Sequence, residues 1–563
     1  MIAKFTSTCP FCRTTIEAGV DEVSRRDTKW GHAKCPPSVS VSASPVAKHN
    51  FNSVARAITE APVASAVLAG QEESTLATTV SIVDSNYQTA IYEWVANGTG
   101  NAVVEAVAGS GKTTTLVRAL AFTPKDKDVV FCAFNKHIAD ELRTRAPSHV
   151  RVGTLHSLGF QNLRQTFGKV QVSDEKLDRI MDVYLPYDAD ADMLERVEIR
   201  AKRGILRKVT SLAKAVLCSG EDVLELEALA DRYDVDLNSS GDEVLPLVKN
   251  VLRDCLNETT TIDYDDMIWI PVVSNMSLIQ YDFVFGDEVQ DWNKSQIEFI
   301  LRSVKPGGRV LAVGDRNQSL YGFRGADTEA IPNLITALNA QVLPLSICYR
   351  CPRSHVALAQ RLVPQIEARS DAPEGVIKNV MEDSLAGIVQ AGDMIVCRVN
   401  APLVPVAFDL IRRNVKAVVR GKEIGKGLVE FVKKFKADTL DDLFTRMEEY
   451  KRKEVSRLSK REGKEMQIET LIDKCDTINA VSEEVASVYL LTKKLEDLFS
   501  DTVEGVVLSS IHRAKGLQAE RVVILRPDLL PHPRAKDGWQ LQQELNCQYV
   551  AYTRSKRELY FTS

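Results

Sequence analysis

The spacing of hydrophobic positions divides most of the chain into short strands and helices. From about residue 84 onward, apolar runs rich in β-branched residues alternate with segments of helical periodicity. This alternation predicts a parallel β-sheet covered by helices. The candidate strands are AVVEAV (102–107), DVVFCAF (128–134), DFVFGDE (282–288), RVLAVGD (309–315), DMIVCRV (393–399), GVVLSS (505–510) and RVVIL (521–525).

Two long segments interrupt this rhythm. Both are charged, follow a helical pattern and contain few β-branched runs, so we interpret them as helical insertions in two α/β cores. The predicted fold class is therefore α/β, with two parallel-sheet domains. The predicted boundaries are 81–157 with 263–338 for the first core, 158–262 for its insertion, 339–427 with 501–563 for the second core, and 428–500 for the second insertion.

The first 80 residues follow neither pattern. Residues 37–80 begin with a stretch rich in Ser, Pro and small residues, which is typical of a flexible linker. Residues 1–36 contain two metal-ligand pairs, in CPFC and HAKC. A closed tetrahedral Zn²⁺ site would stabilise a segment too short to fold on its own core. The predicted structural zinc ligands are Cys9, Cys12, His32 and Cys35.

The alternative for this segment is a frayed N-terminus whose cysteines are there by coincidence. Paired knuckles of this spacing favour zinc. Such modules bind DNA, RNA and proteins alike, so the segment names no particular partner.

Composition excludes some classes of protein. The chain has 563 residues, of which 44% are hydrophobic and 26% charged, and its net charge is −5, so any phosphate binding needs a local basic channel. Its apolar runs are strand-sized, and the N-terminus has no apolar signal segment, which predicts a cytoplasmic protein, or a nuclear one in a eukaryote, without a membrane partner. Eight of the eleven cysteines are scattered and are predicted to be buried thiols: Cys132, Cys218, Cys255, Cys348, Cys351, Cys397, Cys475 and Cys547.

The stretch AVAGSGKTTT (106–115) has the form of a phosphate-binding loop. Gly109 and Gly111 let the backbone approach phosphates, Lys112 supplies charge, and Thr113 supplies a hydroxyl for Mg²⁺. Ala106 replaces the usual first glycine. A chance glycine turn is the alternative, but a strand pattern precedes the loop and a helix pattern follows it. The predicted ATP-binding residues of the loop are Ala108, Gly109, Ser110, Gly111, Lys112, Thr113 and Thr114.

The segment YDFVFGDEVQD places two acids directly after a strand. Asp287 is placed to hold Mg²⁺ and Glu288 to orient and deprotonate an attacking water. A solvated acidic loop is the alternative, which the phosphate loop disfavours. The sequence thus predicts nucleotide hydrolysis.

Six segments in order resemble the motifs of superfamily 1 DNA helicases of the UvrD/Rep/PcrA type. The resemblance covers about residues 84–563 and implies two RecA-like motor domains that hydrolyse ATP with Mg²⁺. The segments are AVAGSGKT, DEVQD, VGDRNQSLYGFRGA, LSICYR, SSIHRAKGLQAERVVIL and YVAYTRS.

The resemblance assigns further residues to the nucleotide. Gln88 matches an adenine-reading glutamine, and Tyr349 a residue that stacks on adenine. Arg350 and Arg554 match arginines that stabilise the transferring phosphoryl group, the second as an arginine finger, and Gln318 matches a γ-phosphate sensor. ATP would then lie in the cleft between the two cores. Gln518 stands where the family usually has a ribose-contacting glutamate.

The resemblance also implies a path for single-stranded DNA. Phe323 is the preferred base-stacking residue, with core packing as the alternative. A solvated helix face explains the basic runs at 200–208 and 451–461, and it is favoured for the second, which also carries acids. The alternative is contact with DNA phosphates, without sequence specificity. The implied DNA-binding residues are Phe134, Asn135, His156, Tyr321, Phe323 and His512.

Together these features predict an ATP-dependent DNA helicase that acts on single-stranded and tailed duplex DNA, with 3′→5′ movement implied by the resemblance alone. One alternative is a translocase that displaces proteins, or that works only within a larger complex. Another is a nucleotide-gated binding module, which the complete set of hydrolytic residues disfavours. RNA is a further possible track. The chain stops just after RELYFTS, and we expect no C-terminal nuclease domain.

Overall fold

A computed structural model describes most of the chain after residue 83 and four short strands before it. The described ranges, besides those strands, are 84–186, 192–233, 235–237, 240–320, 329–460, 465–483, 485–500, 505–533, 535 and 538–563. Met1–Ser81 and Ile82–Ser563 form separate compact units.

The first unit contains two short antiparallel strand pairs. They are β1 (Ser7–Thr8) with β2 (Thr15–Ile16), and β3 (Val23–Arg26) with β4 (Lys29–His32). Cys9, Cys12 and Cys35 lie outside the described residues, and only the backbone of His32 is described. The zinc module and the linker at 37–80 therefore stay predictions.

The second unit begins with a parallel sheet that is interrupted by helices. Its first elements are α1 (Asn86–Asn97), β5 (Ala102–Ala106), α2 (Lys112–Ala119), β6 (Val129–Ala133), α3 (Lys136–Arg143), β7 (Val150–Thr154), α4 (Leu155–Phe167), β8 (Gln171–Val172), α5 (Lys176–Tyr184), α6 (Met193–Val216), α7 (Val223–Arg232), α8 (Gly241–Asn257), β9 (Thr261–Ile262), α9 (Asp266–Val273), β10 (Tyr281–Gly286), α10 (Lys294–Arg302), β11 (Val304–Gly314), α11 (Ala330–Leu338) and β12 (Gln341–Leu345).

Among the described strands, the first sheet has the order β12-β5-β11-β10-β6-β7, and every neighbouring pair is parallel. Successive strand residues point to opposite faces, so Val103 packs with α4 and α9–α11 while Val104 packs with α1–α3. Both faces are buried, which explains the continuous apolar runs and confirms the predicted parallel α/β class.

Two strands of this sheet were missing from the sequence prediction. β7 (VRVGT) carries a charge, and β12 (QVLPL) contains a proline, so neither reads as an apolar run. Both lie at sheet edges, where such residues are tolerated. β12 extends the first sheet beyond the predicted boundary at residue 338. The helices between β7 and β10 enclose an apolar core of their own.

The second half of this unit builds a second parallel sheet. Its elements are β13 (Ile347–Cys348), α12 (Arg353–Ala359), β14 (Glu367–Ala368), β15 (Val376–Val380), α13 (Leu385–Ile388), β16 (Met394–Cys397), α14 (Leu403–Arg412), β17 (Ala417–Arg420), α15 (Lys422–Lys434), α16 (Leu440–Leu458), α17 (Glu465–Ser482), α18 (Val488–Leu498), β18 (Phe499–Ser500), β19 (Val506–Ser510), α19 (Ile511–Ala514), β20 (Ala519–Ile524), α20 (Gly538–Tyr552) and β21 (Ser555–Thr562).

Its described strands are ordered β15-β21-β20-β16-β19-β17-β18, again with parallel neighbours. The helices α15–α18 pack on one face of this sheet, in the same apolar cluster as α14, while α19 and α20 pack on the other. All eight cysteines predicted to be buried thiols are buried. Within the described residues, no helix is both long and apolar enough to cross a bilayer.

Candidate active site

The predicted nucleotide residues converge on one edge of the first sheet. β5, β11 and β10 are neighbours in that sheet, and each ends at its carboxyl edge in a polar loop. The phosphate loop follows β5, Asp315 and Gln318 follow β11, and Asp287 and Glu288 follow β10. Parallel strands thus bring together side chains that lie about 200 residues apart in sequence.

The loop between β5 and α2 has the backbone of an anion site. Gly109 and Gly111 have φ values of +71° and +77°, which residues other than glycine rarely adopt. Helix α2 begins at Lys112, so its N-terminus faces the loop. The buried Ser110 hydroxyl has no hydrogen-bond partner among the described residues. A phosphate oxygen bound in this loop would satisfy that hydroxyl.

Two carboxylates and one lysine form the centre of the site. The Thr113 hydroxyl donates to Asp287 Oδ2 at 2.9 Å, and Lys112 Nζ lies 3.4 Å from Glu288 Oε2. Mg²⁺ is commonly held by a carboxylate, a hydroxyl and substrate phosphates, and Thr113 and Asp287 fit that set. Among the described residues, no group of three or more His, Cys, Asp and Glu side chains could hold a metal ion by itself.

The two acids titrate in opposite directions. Burial, reinforced by the charge of Glu288, raises the pKa of Asp287 to about 6. Burial also acts to raise the pKa of Glu288, but Lys112 and then Lys515 outweigh it and lower that pKa to about 2. Glu288 also has a φ of +52°, an uncommon conformation for a non-glycine residue. The site therefore holds one firmly ionised carboxylate beside one of higher pKa.

A lysine from the second half of the unit completes this cluster. Lys515 follows α19, and its Nζ lies 2.6 Å from Asp291 Oδ2. Burial raises the pKa of Asp291 to about 6, against the opposing effect of Lys515. Sequence reasoning did not single out Lys515, although it lies in the quoted segment SSIHRAKG.

The predicted adenine-reading residues contact each other. The Tyr349 hydroxyl donates to Gln88 Oε1 at 3.2 Å, and Gln88 Nε2 donates to the Thr115 hydroxyl at 3.1 Å. The Tyr349 backbone N–H donates to the Gly109 carbonyl at 2.9 Å, which fixes Tyr349 beside the phosphate loop. Ser85 and Gln88 cap helix α1 through reciprocal hydrogen bonds, so Gln88 is held in position.

The two predicted catalytic arginines lie together. Arg350 Nη1 donates to the Thr553 carbonyl at 3.1 Å, and Arg554 Nη2 donates to the Thr553 hydroxyl at 3.1 Å. Burial, with the nearby Arg350 charge, lowers the pKa of Arg554 to about 10. A Cβ at Gly109 would lie 2.7 Å from Arg350 Cβ, so Arg350 begins directly against the phosphate loop.

A tyrosine outside the predicted set joins α20 to the phosphate loop. The Ala108 backbone N–H donates to the Tyr549 hydroxyl at 2.8 Å, and burial raises the Tyr549 pKa well above its usual value. Tyr549 lies one helical turn before Thr553 and Arg554. One indication of its role was visible in the sequence: Tyr549 begins the segment YVAYTRS, and a buried tyrosine needs a hydrogen-bond partner.

The remaining predicted nucleotide residues have simpler surroundings. Gln318 is buried, and its Nε2 donates to Asp315 Oδ2 at 2.6 Å. Thr114 and Gln518 are exposed.

The predicted DNA-binding residues are more dispersed. Phe134 is 46% exposed after β6, and Asn135 caps α3 through the Ile138 N–H. His156 is half-buried against Tyr264, with ring centroids 6.3 Å apart. His512 lies 3.5 Å from the Cys547 sulfur. Tyr321 and Phe323 lie outside the described residues.

A cavity of about 700 Å³ adjoins His512. It is lined by the first insertion at Tyr233, by the second insertion at Tyr450 and Lys434, and by Arg398 after β16. Lys434 Nζ lies 3.8 Å from the centre of the Tyr450 ring. Sequence reasoning missed this cavity because its lining comes from segments far apart in the chain.

Two family models match this chain. The UvrD/REP helicase N-terminal domain matches residues 87–338, and the UvrD-like helicase C-terminal domain matches residues 282–563. The chain belongs to the UvrD-like helicases. This membership confirms the family resemblance that the sequence motifs indicated.

Curated relatives are similar at low identity. The F-box DNA helicase protein 1 of Schizosaccharomyces pombe is 24% identical over 81% of this chain and 55% of its own length. The ATP-dependent DNA helicase PcrA of Staphylococcus aureus is 25% identical over 41% of this chain and 33% of its own length. DNA helicase II of Haemophilus influenzae is 24% identical over 48% of this chain and 39% of its own length. The chain thus spans about half or less of the length of these relatives.

Proposed function

We propose that this UvrD-like chain is an ATP-dependent DNA helicase that moves along single-stranded DNA, in the 3′→5′ direction, and separates duplex DNA. The observation that carries the proposal is the joint construction of one nucleotide site. Lys112 and Glu288 come from the first sheet, while Tyr349, Arg350 and Tyr549 reach the same loop from the second half of the unit. The family membership and the names of the relatives support the same activity.

In this proposal, the first-sheet loop binds the phosphates of ATP. The α2 N-terminus and Lys112 neutralise phosphate charge, and Ser110 donates its buried hydroxyl. Thr113 and Asp287 would hold Mg²⁺, which offsets the charge that develops on the phosphates. Gln88 and Tyr349 contact the base.

Glu288 accepts the proton of the attacking water. Its carboxylate is ionised at neutral pH because Lys112 and Lys515 lower its pKa. When Lys112 shares its charge with a phosphate, the pKa of Glu288 rises toward the range in which a carboxylate accepts a proton. Arg350 and Arg554 stabilise the negative charge of the transition state.

Hydrolysis is proposed to move the two cores relative to each other. Arg350 and Arg554 both hydrogen bond to Thr553, which directly follows α20, and Tyr549 near the end of α20 contacts Ala108. A change at the phosphates therefore reaches α20 directly. The residues proposed to contact the single strand are Phe134, Asn135, His156, Tyr321, Phe323 and His512. The proposed domain boundaries are those predicted above, with β12 added to the first core.

The first test is ATP hydrolysis with and without single-stranded DNA, in the full chain. Glu288→Gln should lower the turnover by about 10² or more, as expected for loss of a general base, while the KM for ATP changes little. The matched control is Glu93→Gln, an exposed glutamate on α1 that should leave turnover unchanged. Equal turnover in Glu288→Gln and the unmodified chain would contradict the proposed site.

The alternative is a translocase that displaces proteins without separating strands. The shared nucleotide site supports it equally, because coupling ATP turnover to movement does not require strand separation. Release of streptavidin from biotinylated single strands, without unwinding of any tailed duplex, would favour this alternative.

A further inference from the structure

Two cysteines enclose the residues that contact the nucleotide in the proposed function. Cys348 and Cys351 stand on either side of Tyr349 and Arg350, and their side chains are 0% and 3% exposed. The Cys351 N–H donates to the Cys348 sulfur at 3.4 Å, which brings the backbone of one cysteine against the sulfur of the other. This hydrogen bond closes a turn across three residues, so the two cysteines of the CYRC segment share one tight turn, as in Cys-x-x-Cys pairs that form disulfides.

Cys348 differs chemically from other buried cysteines of the chain. Burial raises the pKa of Cys132 and Cys397 to about 12 and also raises that of Cys547. The neighbouring Cys351 side chain, with backbone N–H groups and the Arg350 charge, instead lowers the Cys348 pKa to about 7. Cys351 keeps its proton, since its pKa is raised well above the usual value. The pair thus combines a thiolate with a neighbouring thiol.

The pair also touches both halves of the proposed ATP site. A Cβ at Gly109 would lie 2.9 Å from the Cys348 sulfur, so this sulfur rests against the phosphate loop. The Cys351 sulfur lies 3.6 Å from the Thr553 carbonyl, which also accepts a hydrogen bond from Arg350. Drawing the Cys351 sulfur toward Cys348 would break its contact with Thr553 and disturb Arg350.

We propose that Cys348 and Cys351 form a reversible disulfide that lowers nucleotide binding and ATP turnover, with a hydroperoxide as the oxidant. The Cys348 thiolate attacks the peroxide O–O bond, forming a sulfenic acid and releasing hydroxide or alkoxide. The Cys351 sulfur then displaces the sulfenic hydroxyl, which leaves as water once it takes up the Cys351 proton, and the S–S bond forms. A dithiol reverses the change by thiol–disulfide exchange. The effect on turnover rests on the proposed function.

The test uses the full chain, reduced, desalted and then exposed to hydrogen peroxide. After the peroxide is removed and free thiols are alkylated, mass spectrometry should find the peptide holding Cys348 and Cys351 lighter by two hydrogen atoms and unalkylated. ATP turnover should fall by about tenfold or more, part of the ~10³ that a phosphate-contacting arginine contributes. Dithiothreitol should restore it.

Variants separate this pair from the other cysteines. Cys348→Ser, which removes the attacking thiolate, should keep its own reduced turnover after the same exposure, while Cys218→Ala, a change in the first insertion, should stay as sensitive as the unmodified chain. Alkylation of both Cys348 and Cys351 after inactivating exposure would overturn the proposal. So would a disulfide that leaves turnover and binding of a fluorescent ATP analogue unchanged.

The disulfide and the analogue affinity are measured without turnover. A reduced chain that hydrolyses no ATP would therefore contradict the proposed function, while these two measurements still decide the fate of the disulfide.

Discussion

The buried charge of Arg554 is expected to lower the free energy of unfolding, although Arg554 stabilises the transition state of ATP hydrolysis in the proposed function. It is 1% exposed, and its guanidinium donates to uncharged oxygens of Val550, Leu517 and Thr553. Its pKa falls from 12.5 to about 10, chiefly through burial. At 1.36 kcal/mol per pKa unit, the buried charge is disfavoured by about 3 kcal/mol. Arg554→Met removes that charge and keeps most of the side-chain volume.

We expect Arg554→Met to unfold in urea at the same midpoint or higher, with a gain of up to about 3 kcal/mol. Its ATP turnover should fall by ~10³, the scale of an arginine finger. If Arg554 had only a structural role, the substitution would lower the stability and leave ATP turnover per folded molecule unchanged.

Arg398→Met is the matched control. Arg398 is also buried, at 7% exposed, but its Nε lies 2.8 Å from both oxygens of Glu544. Removing it leaves a buried carboxylate without this arginine, and we expect a loss of about 3–5 kcal/mol. Destabilisation of Arg554→Met by more than about 1 kcal/mol, well above the usual error of such comparisons, would refute the reasoning.

Three further outcomes are expected. Asp287 must be ionised to hold Mg²⁺, and its pKa is about 6. The Mg²⁺ concentration that half-saturates ATP turnover should therefore rise about tenfold per pH unit below pH 6. A half-saturating concentration that stays constant between pH 5 and pH 7 would contradict this. Tyr549→Phe removes the acceptor of the Ala108 N–H, so kcat should fall about tenfold, as expected for loss of about 1.4 kcal/mol, and the melting temperature should fall slightly because a buried N–H loses its partner. An unchanged kcat would argue against coupling through α20. Gln88→Ala removes an amide that can pair with the base, so it should raise the KM for ATP about tenfold and reduce the preference for ATP over GTP. Equal KM values in the variant and the unmodified chain would exclude base reading by Gln88.

The sequence was sufficient to predict the parts of the fold that are apolar and local. Strands buried on both faces, such as β5, β6 and β10, read directly as β-branched runs, and the phosphate loop and its acids follow them. Strands with charges or a proline, such as β21 (SKRELYFT) and β12, were missed because sheet pairing rather than hydrophobicity places them.

The candidate site likewise contains residues that the sequence indicated and residues that it did not. The family motifs predicted Gln88, Tyr349 and Arg350 near the loop, and the structure brings them there. No local pattern indicated that Tyr549 would contact Ala108, because the two residues are 441 positions apart. Cys348 and Cys351 were read as scattered thiols. Their spacing was visible in CYRC, but the hydrogen bonds that distinguish them depend on the folded turn.

Strand separation tests the proposed function most directly. The measurement compares duplexes with a 3′ or a 5′ single-stranded tail, with ATP, for the unmodified chain and Lys112→Ala. Unwinding of the 3′-tailed duplex alone, lost in Lys112→Ala, is the expected result. Unwinding that persists in Lys112→Ala, or no unwinding of either duplex while single strands still stimulate ATP hydrolysis, would contradict an ATP-driven helicase.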